Sequence, residues 1–411
     1  MLREAAQPEL VRQINSATLL SLIEAKSTVS RAELARLSGL SRATVSNIVE
    51  TFLELDLVHE KGIGDSRGGR PPVLLAFNPY AWYAVGAELV DSDWMLVLVD
   101  LRGQVRKSLS VAINTNRPED AVGAFVDGYY RILDGFSKPV LPGVGLGVPG
   151  LVDGKIGVIR SAADLGWVDV PVRKLLEAKL GVSVYVINRH KAAGLVEVSY
   201  GGGVGSRNLV YIGIGTGVAA ALFFEGQMLQ GANSSAGELG HVTVEPNGRP
   251  CPCGNHGCLQ QYVSGPAMAA RARELIRSGN RSILEEMNTG NLQLISGKSV
   301  CEAAEAGDSL SLRVIQEAAE YLGIAIANLV NVLNPDTVVL GGPIGANSGA
   351  LLLKPLERTL RKRSMSHPLR ALNLIHSTMG NEAGARGAAA LVLARKSELI
   401  FGVEEASSLR Q

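Results

Sequence analysis

Over the first fifty-odd residues apolar positions recur at helical spacing, and beyond Trp82 the chain switches repeatedly between strand-like and helix-like runs. Leu19, Leu20, Leu22 and Ile23 predict a packing helix. Ser30-Arg31-Ala32-Glu33 has the spacing of a capping box, and Ala32, Leu34, Ala35 and Leu37 carry it on as a short helix that Gly39-Leu40 breaks. Ser41 caps a second helix, on which Val45, Ile48, Val49 and Phe52 form one apolar stripe. Arg42, Thr44, Ser46 and Asn47 lie on or beside the opposite face. Residues 56–60 and 73–77 read as strands flanking a glycine-rich stretch, 62–72, that serves as a β-wing or flexible arm and carries Arg67 and Arg70.

Two helices joined by a glycine turn, the second opening on small and polar residues, match a helix-turn-helix whose recognition helix enters the major groove of double-stranded DNA by its N-terminal end. An ordinary helical hairpin would share the helices but not the wing. The residues predicted to reach DNA are Ser41, Arg42, Thr44, Ser46 and Asn47 in the groove, with Arg67 and Arg70 at the wing. Charge tempers this picture. Residues 1–80 hold nine Lys plus Arg and nine Asp plus Glu, 9 − 9 = 0, so one copy gains little from counterion release. A homodimer or homotetramer on a symmetric operator is expected to supply the missing affinity.

From Trp82 onward, runs 85–88, 94–100, 143–148, 182–187, 209–214 and 337–340 read as strands, and 309–334 as one long helix ended by Asn334-Pro335. This alternation predicts an α/β architecture in two lobes. The chain's 411 residues suffice for two or three domains. Its mean hydropathy is +0.16, yet no apolar run approaches a membrane span and the start lacks an export signal, so no membrane partner is expected. Few cysteines point to a reducing, cytoplasmic setting. A net charge of +1 gives no bulk attraction to nucleic acid, so any DNA binding must be local.

Three of the four cysteines stand together as Cys251-Pro252-Cys253 and Cys258, with His241 ahead of them. Three thiolates and an imidazole are the donor set of a closed tetrahedral Zn²⁺ site, and Gly254 and Gly257 let the loop wrap the ion. His256 is a rival ligand, but its place inside the loop makes it a solvated tip. With four protein ligands no open position remains for a reactive water, so the zinc is read as structural.

The segments 145–153, 237–241, 251–259, 333–342 and 380–388, among them Gly237-Glu238-Leu239-Gly240-His241 and Leu333-Asn334-Pro335-Asp336, resemble the ROK family, which unites sugar kinases with sugar-responsive repressors. The resemblance covers nearly the whole chain, and the front module with its Arg-Gly-Gly-Arg-Pro-Pro wing is similar to the repressor branch. It implies a winged helix-turn-helix followed by an actin-like, ribonuclease-H-like pair of lobes with a sugar held between them. The expected division is 1–80 for the DNA-binding module, 81–195 for the first lobe completed by about 385–405, and 196–384 for the second lobe with the zinc site.

In ROK kinases a strand ends in Asn-Asp and the Asp takes the proton from the sugar hydroxyl. Here the matching pair is Asn188-Arg189, and a guanidinium cannot accept a proton near neutral pH. His190 is expected to point away from the cleft, because successive side chains on a strand end face opposite ways. The family's first phosphate loop is also lost: Gly86 is followed by Ala87, Glu88 and Leu89. The expectation is a non-enzymatic sensor that binds no ATP; a sugar kinase bearing a regulatory module is the alternative, and a module that binds another protein is a third. Carried over from the family, the effector-binding positions are Gly150, Asn188, Arg189, Glu238, His241 and Gln260. Loss of two carboxylates and gain of Arg189 suggest an anionic sugar derivative, unless Arg189 is consumed by Glu238 or another cleft acid. Regulation could be repression or activation from the same parts.

Overall fold

The computed structural model describes residues 8–64, 71–90, 92–113 and 117–401. Helix α1 (Pro8–Glu24), strand β1 (Val29–Ser30), helices α2 (Arg31–Ser38) and α3 (Arg42–Glu54), and strands β2 (Val58–Ile63) and β3 (Val73–Phe77) form a winged helix-turn-helix, the strands pairing in the order β1-β3-β2. Ser30 caps α2 by accepting the Glu33 N–H at 3.2 Å, and Ser41 caps α3 by accepting the Thr44 N–H at 3.1 Å. At Ser30 the Glu33 carboxylate pairs with Lys26 at 3.0 Å, so the reciprocal half of the predicted capping box is not what holds it. The strand after α3 begins at Val58 and not at 56, because Asp56 turns the chain at φ 57°. Val45, Ile48, Val49 and Phe52 are all buried, and each such side chain contributes about 1.5–3 kcal/mol by leaving water.

The first lobe runs through β4 (Tyr83–Val90), β5 (Asp93–Asp100), β6 (Val105–Ala112), α4 (Pro118–Leu133), β7 (Val140–Val148), the short strands β8 (Leu151–Asp153), β9 (Val158–Ala162) and β10 (Trp167–Val170), then α5 (Val172–Leu180), β11 (Ser183–Asn188) and α6 (Arg189–Tyr200). Its main sheet has the order β6-β5-β4-β7-β11: β4, β5 and β6 pair antiparallel, whereas β7 and β11 join in parallel. The second lobe repeats this plan. It comprises β12 (Leu209–Ile214), β13 (Val218–Phe224), β14 (Gln227–Met228), α7 (Gln260–Val263), α8 (Gly265–Arg277), α9 (Leu284–Met287), α10 (Gly297–Glu305), α11 (Ser309–Leu333), β15 (Thr337–Gly341), α12 (Gly342–Asn347), α13 (Gly349–Arg363), α14 (Ser366–Ala371) and β16 (Asn373–His376). The sheet order β14-β13-β12-β15-β16 again sets three antiparallel strands beside two parallel ones. The duplicated plan is the actin-like pair of lobes.

Helix α15 (Ala383–Leu393) then returns to the first lobe, lying along α6 and over β4 and β7, and α16 (Lys396–Phe401) reaches the DNA-binding module. There Lys396 pairs with Glu24 at 2.7 Å, the Phe401 ring sits 5.7 Å from that of Phe52, and Gln13 donates to the Phe401 carbonyl. One apolar cluster runs from Leu19, Leu20 and Phe52 through Ala84, Val97 and Val99 to Ala389 and Val392. The DNA-binding module is therefore packed onto the first lobe by shared core as well as joined by the chain. Among the described residues no helix is long and apolar enough to cross a membrane.

Candidate functional site

A cleft of about 530 Å³ opens between the lobes, a size that suits a small ligand. Gly150, Asn188, Arg189, Glu238, His241 and Gln260 all line it. Asn188 ends β11 and caps α6: its Oδ1 accepts the N–H groups of His190 and Lys191 at 2.9 and 3.3 Å, and its Nδ2 donates to the Gly150 carbonyl at 2.8 Å. Gly150 turns at φ 81°, and a Cβ there would strike the Ser161 carbonyl. Much of the Asn188 amide is thus spent on shaping the cleft wall.

Arg189 is the first residue of α6, and its Nη2 donates to Thr216 Oγ1 at 2.9 Å in the turn between β12 and β13. Among the described residues it makes no ion pair, so it is not consumed by Glu238. Burial raises the Glu238 carboxyl above its ordinary range, against the opposing pull of His241 and Lys191. Asp164, in a 3₁₀ turn over residues 163–165, lines the same cleft and was missed in the sequence, where no periodicity or motif marks it.

The expected orientation of His190 is corrected. Asn188 starts a helix, so residues 189–191 advance about 100° each and do not alternate as on a strand. The His190 ring packs against Gly213 on β12, is half-buried and also lines the cleft. Enclosure by protein atoms, aided by the Arg189 charge, pushes its pKa down to about 3. Behind Arg189 lies a narrower cavity of about 170 Å³, bounded by Glu88, Thr216, Gly342 and Gly384. On its first-lobe side β4 and β5 pair antiparallel from Tyr83↔Asp100 to Val90↔Asp93, with Glu88 of β4 lining the cavity.

His241, Cys251, Cys253 and Cys258 present their ligand atoms within 4.8 Å of one another. Zinc–sulfur bonds of about 2.3 Å in a tetrahedron place sulfurs roughly 3.8 Å apart. Cys253 and Cys258 Sγ are 3.7 Å apart, and His241 Nδ1 stands 3.8 Å from Cys251 Sγ, so this donor set could hold a metal ion of that size. The loop is pinned by Cys251 N–H to the Asn255 carbonyl and Gly257 N–H to the Arg249 carbonyl, each at 2.8 Å. Gly257 presses on the Glu245 carbonyl where a Cβ would not fit. His256 is exposed and outside the cluster. Gln260 and Gln261 both donate to Cys251 Sγ, at 3.4 and 3.5 Å. Gln260 therefore touches the Cys₃His cluster and the cleft at once.

On α3, Arg42 and Asn47 are exposed, Thr44 and Ser46 half-buried. The exposed Ser41 is committed to the cap and to the Thr44 hydroxyl at 2.8 Å. Arg67 and Arg70 lie outside the described residues.

A winged helix-turn-helix built into a duplicated actin-like body with an interlobe cleft defines a DNA-binding regulator on a kinase-like scaffold. Residues 85–395 match the model of the ROK family, and residues 15–62 match the IclR helix-turn-helix domain. The chain belongs to the ROK family. It is 30% identical over 390 residues to the xylose repressor of Caldicellulosiruptor bescii, covering 93% of this chain and 96% of that one. It is also 32% identical over 332 residues to the glucokinase of Halalkalibacterium halodurans, covering 79% of this chain and 98% of the relative. A solved ROK family transcriptional regulator, described as a homologue of the E. coli MLC protein, superposes with a TM-score of 0.83 at 28% identity, over 95% of this chain and 98% of that one.

Proposed function

We propose that this chain is a cytoplasmic repressor of carbohydrate-metabolism genes, released from its operator by a sugar or anionic sugar derivative bound in a cleft that no longer transfers phosphate. The observation that carries the reading is Arg189. By resemblance to the ROK kinases it occupies their proton-accepting position; it bonds to Thr216 and has no ion-paired carboxylate among the described residues. A permanently protonated group cannot serve as the base, and losing such a base costs about 10²–10⁴ in rate. An unpaired guanidinium at the cleft is suited to a phosphate or carboxylate on the effector. The name of the xylose repressor relative supports a monosaccharide as the core of that effector.

The effector would be held by Gly150, Asn188, Arg189, Glu238, His241 and Gln260, and the DNA by Ser41, Arg42, Thr44, Ser46, Asn47, Arg67 and Arg70. The Cys₃His cluster would hold a structural Zn²⁺, which ties the turn carrying His241 to the helix carrying Gln260 and so fixes one cleft wall. Closure of the lobes on the effector would move α6 and α15, and through α16 the DNA-binding modules of a homodimer. Release requires the effector to favour the conformation with lower operator affinity.

The glucokinase relative favours a second reading, a sugar kinase with a regulatory module. Incubation of the purified chain with ATP and a hexose panel separates the two. The proposal expects no sugar phosphate above the uncatalysed background; catalytic turnover would overturn it. Thermal-shift screening against neutral sugars, sugar phosphates and sugar acids tests the charge argument, and a shift with neutral sugars alone would contradict it.

A further inference from the structure

A second cavity, of about 480 Å³, lies on the other side of Asn188 from the effector cleft. Its walls come from the β11 edge and α5 of the first lobe, from the loop after β14 of the second, and from the junction of α15 and α16. Lys155, Arg173, Lys191 and Arg395 face it against one lining carboxylate, Glu177. Two of these charges are already employed. Arg173 donates to the carbonyls of Gly154, Lys155 and Val184, and Glu177 accepts the Val184 N–H at 3.1 Å, so together they cover the edge of β11.

Lys191 is different. It is only 4% exposed, and its ammonium group has one hydrogen-bond partner among the described residues, the Ser234 carbonyl at 2.7 Å. An ammonium carries three protons, so two remain for a ligand. Burial lowers its pKa, with Glu238 pulling the other way, which marks a charge held out of water without a full complement of partners. Arg395, which lines the same cavity, stacks over the Tyr185 ring at 4.6 Å and donates to the Leu391 carbonyl, so its guanidinium is held in place. Glu398 also lies in the Tyr185 surroundings, so the positive excess is local and not complete.

We propose that this cavity binds a small organic oxyanion, a phosphate ester or a polycarboxylate, between Lys191 and Arg395. Such a ligand completes the coordination of the buried ammonium and bridges α6 to the α15–α16 junction, both in the first lobe, beside Gln230 and Ser234 of the second. It also sits one residue from Lys396, whose ion pair with Glu24 fastens the DNA-binding module. It is thus a second regulatory input, distinct from the sugar cleft and independent of whether the sugar reading holds.

The test is calorimetric titration of the full chain with inorganic phosphate and, separately, citrate, each against chloride at matched ionic strength. Wild type, Lys191→Met, Arg395→Gln and Arg189→Gln are compared. Saturable binding weakened at least tenfold by Lys191→Met and by Arg395→Gln, and unchanged in Arg189→Gln, is the expected result. Preference for phosphate or for citrate then separates the two ligand sources. If Lys191→Met fails to fold, Arg395→Gln decides alone. No saturable binding of either probe, or binding lost only in Arg189→Gln, overturns the proposal.

Discussion

Arg189 Nη2 on the first lobe donates to Thr216 Oγ1 on the second at 2.9 Å, so one guanidinium joins the two walls of the cleft. Arg189 also borders the narrow cavity behind it, so its side chain stands between that cavity and the cleft. Replacing Arg189 with Gln is expected to weaken binding of an anionic effector about tenfold to a hundredfold, the effect of losing one hydrogen bond to a charged group. Operator binding without effector should be unchanged. Isothermal titration beside a DNA mobility shift reads both quantities.

The metal cluster should hold one zinc per chain. Stripping it with a chelator removes a ligand that binds only the folded state, a loss of about 4 kcal/mol where free metal exceeds its Kd a thousandfold. Cys258→Ser should lower both zinc content and Tm. His256→Ala should alter neither, because that ring lies outside the cluster. Elemental analysis and a thermal melt check each variant.

His190 gives a pH signature. Its ring has a folded pKa of about 3 against an ordinary 6.5, so below 6.5 the unfolded chain takes up a proton that the native ring refuses. Stability is complete above pH 6.5 and is lost as pH falls toward 3, by about 3 kcal/mol near pH 4. Denaturant midpoints measured from pH 7 to pH 4 should fall more steeply for the wild type than for His190→Asn.

Docking of the DNA-binding module depends on the chain's far end. Phe401→Ala removes the ring that meets Phe52 and should loosen the module by about 1–3 kcal/mol. The expected outcome is faster amide hydrogen exchange over residues 19–23 of α1, with exchange in β12 and β15 unchanged.

The local devices were legible in the sequence because each is written in adjacent residues. Ser41 and the stripe Val45, Ile48, Val49, Phe52 predict α3, and the close cysteines with His241 predict a cluster that the structure draws together. What escaped depends on context. Asn188 is as good a helix cap as a strand end, and reading it as strand misdirected His190. Asp164 reaches the cleft only because β8, β9 and β10 fold as a small separate sheet of short strands with little alternation to read. The contact of Phe52 with Phe401, and the Lys191 cavity, join segments far apart in the chain, which no local pattern encodes.

The most direct test of a sugar-sensing regulator is fluorescence anisotropy of the full chain on DNA from its own upstream region, titrated with monosaccharides, their phosphates and their acids. Specific binding that one of these ligands reverses saturably is the predicted result. Binding no tighter than to scrambled DNA, or an operator complex indifferent to every ligand in the panel, would contradict the account.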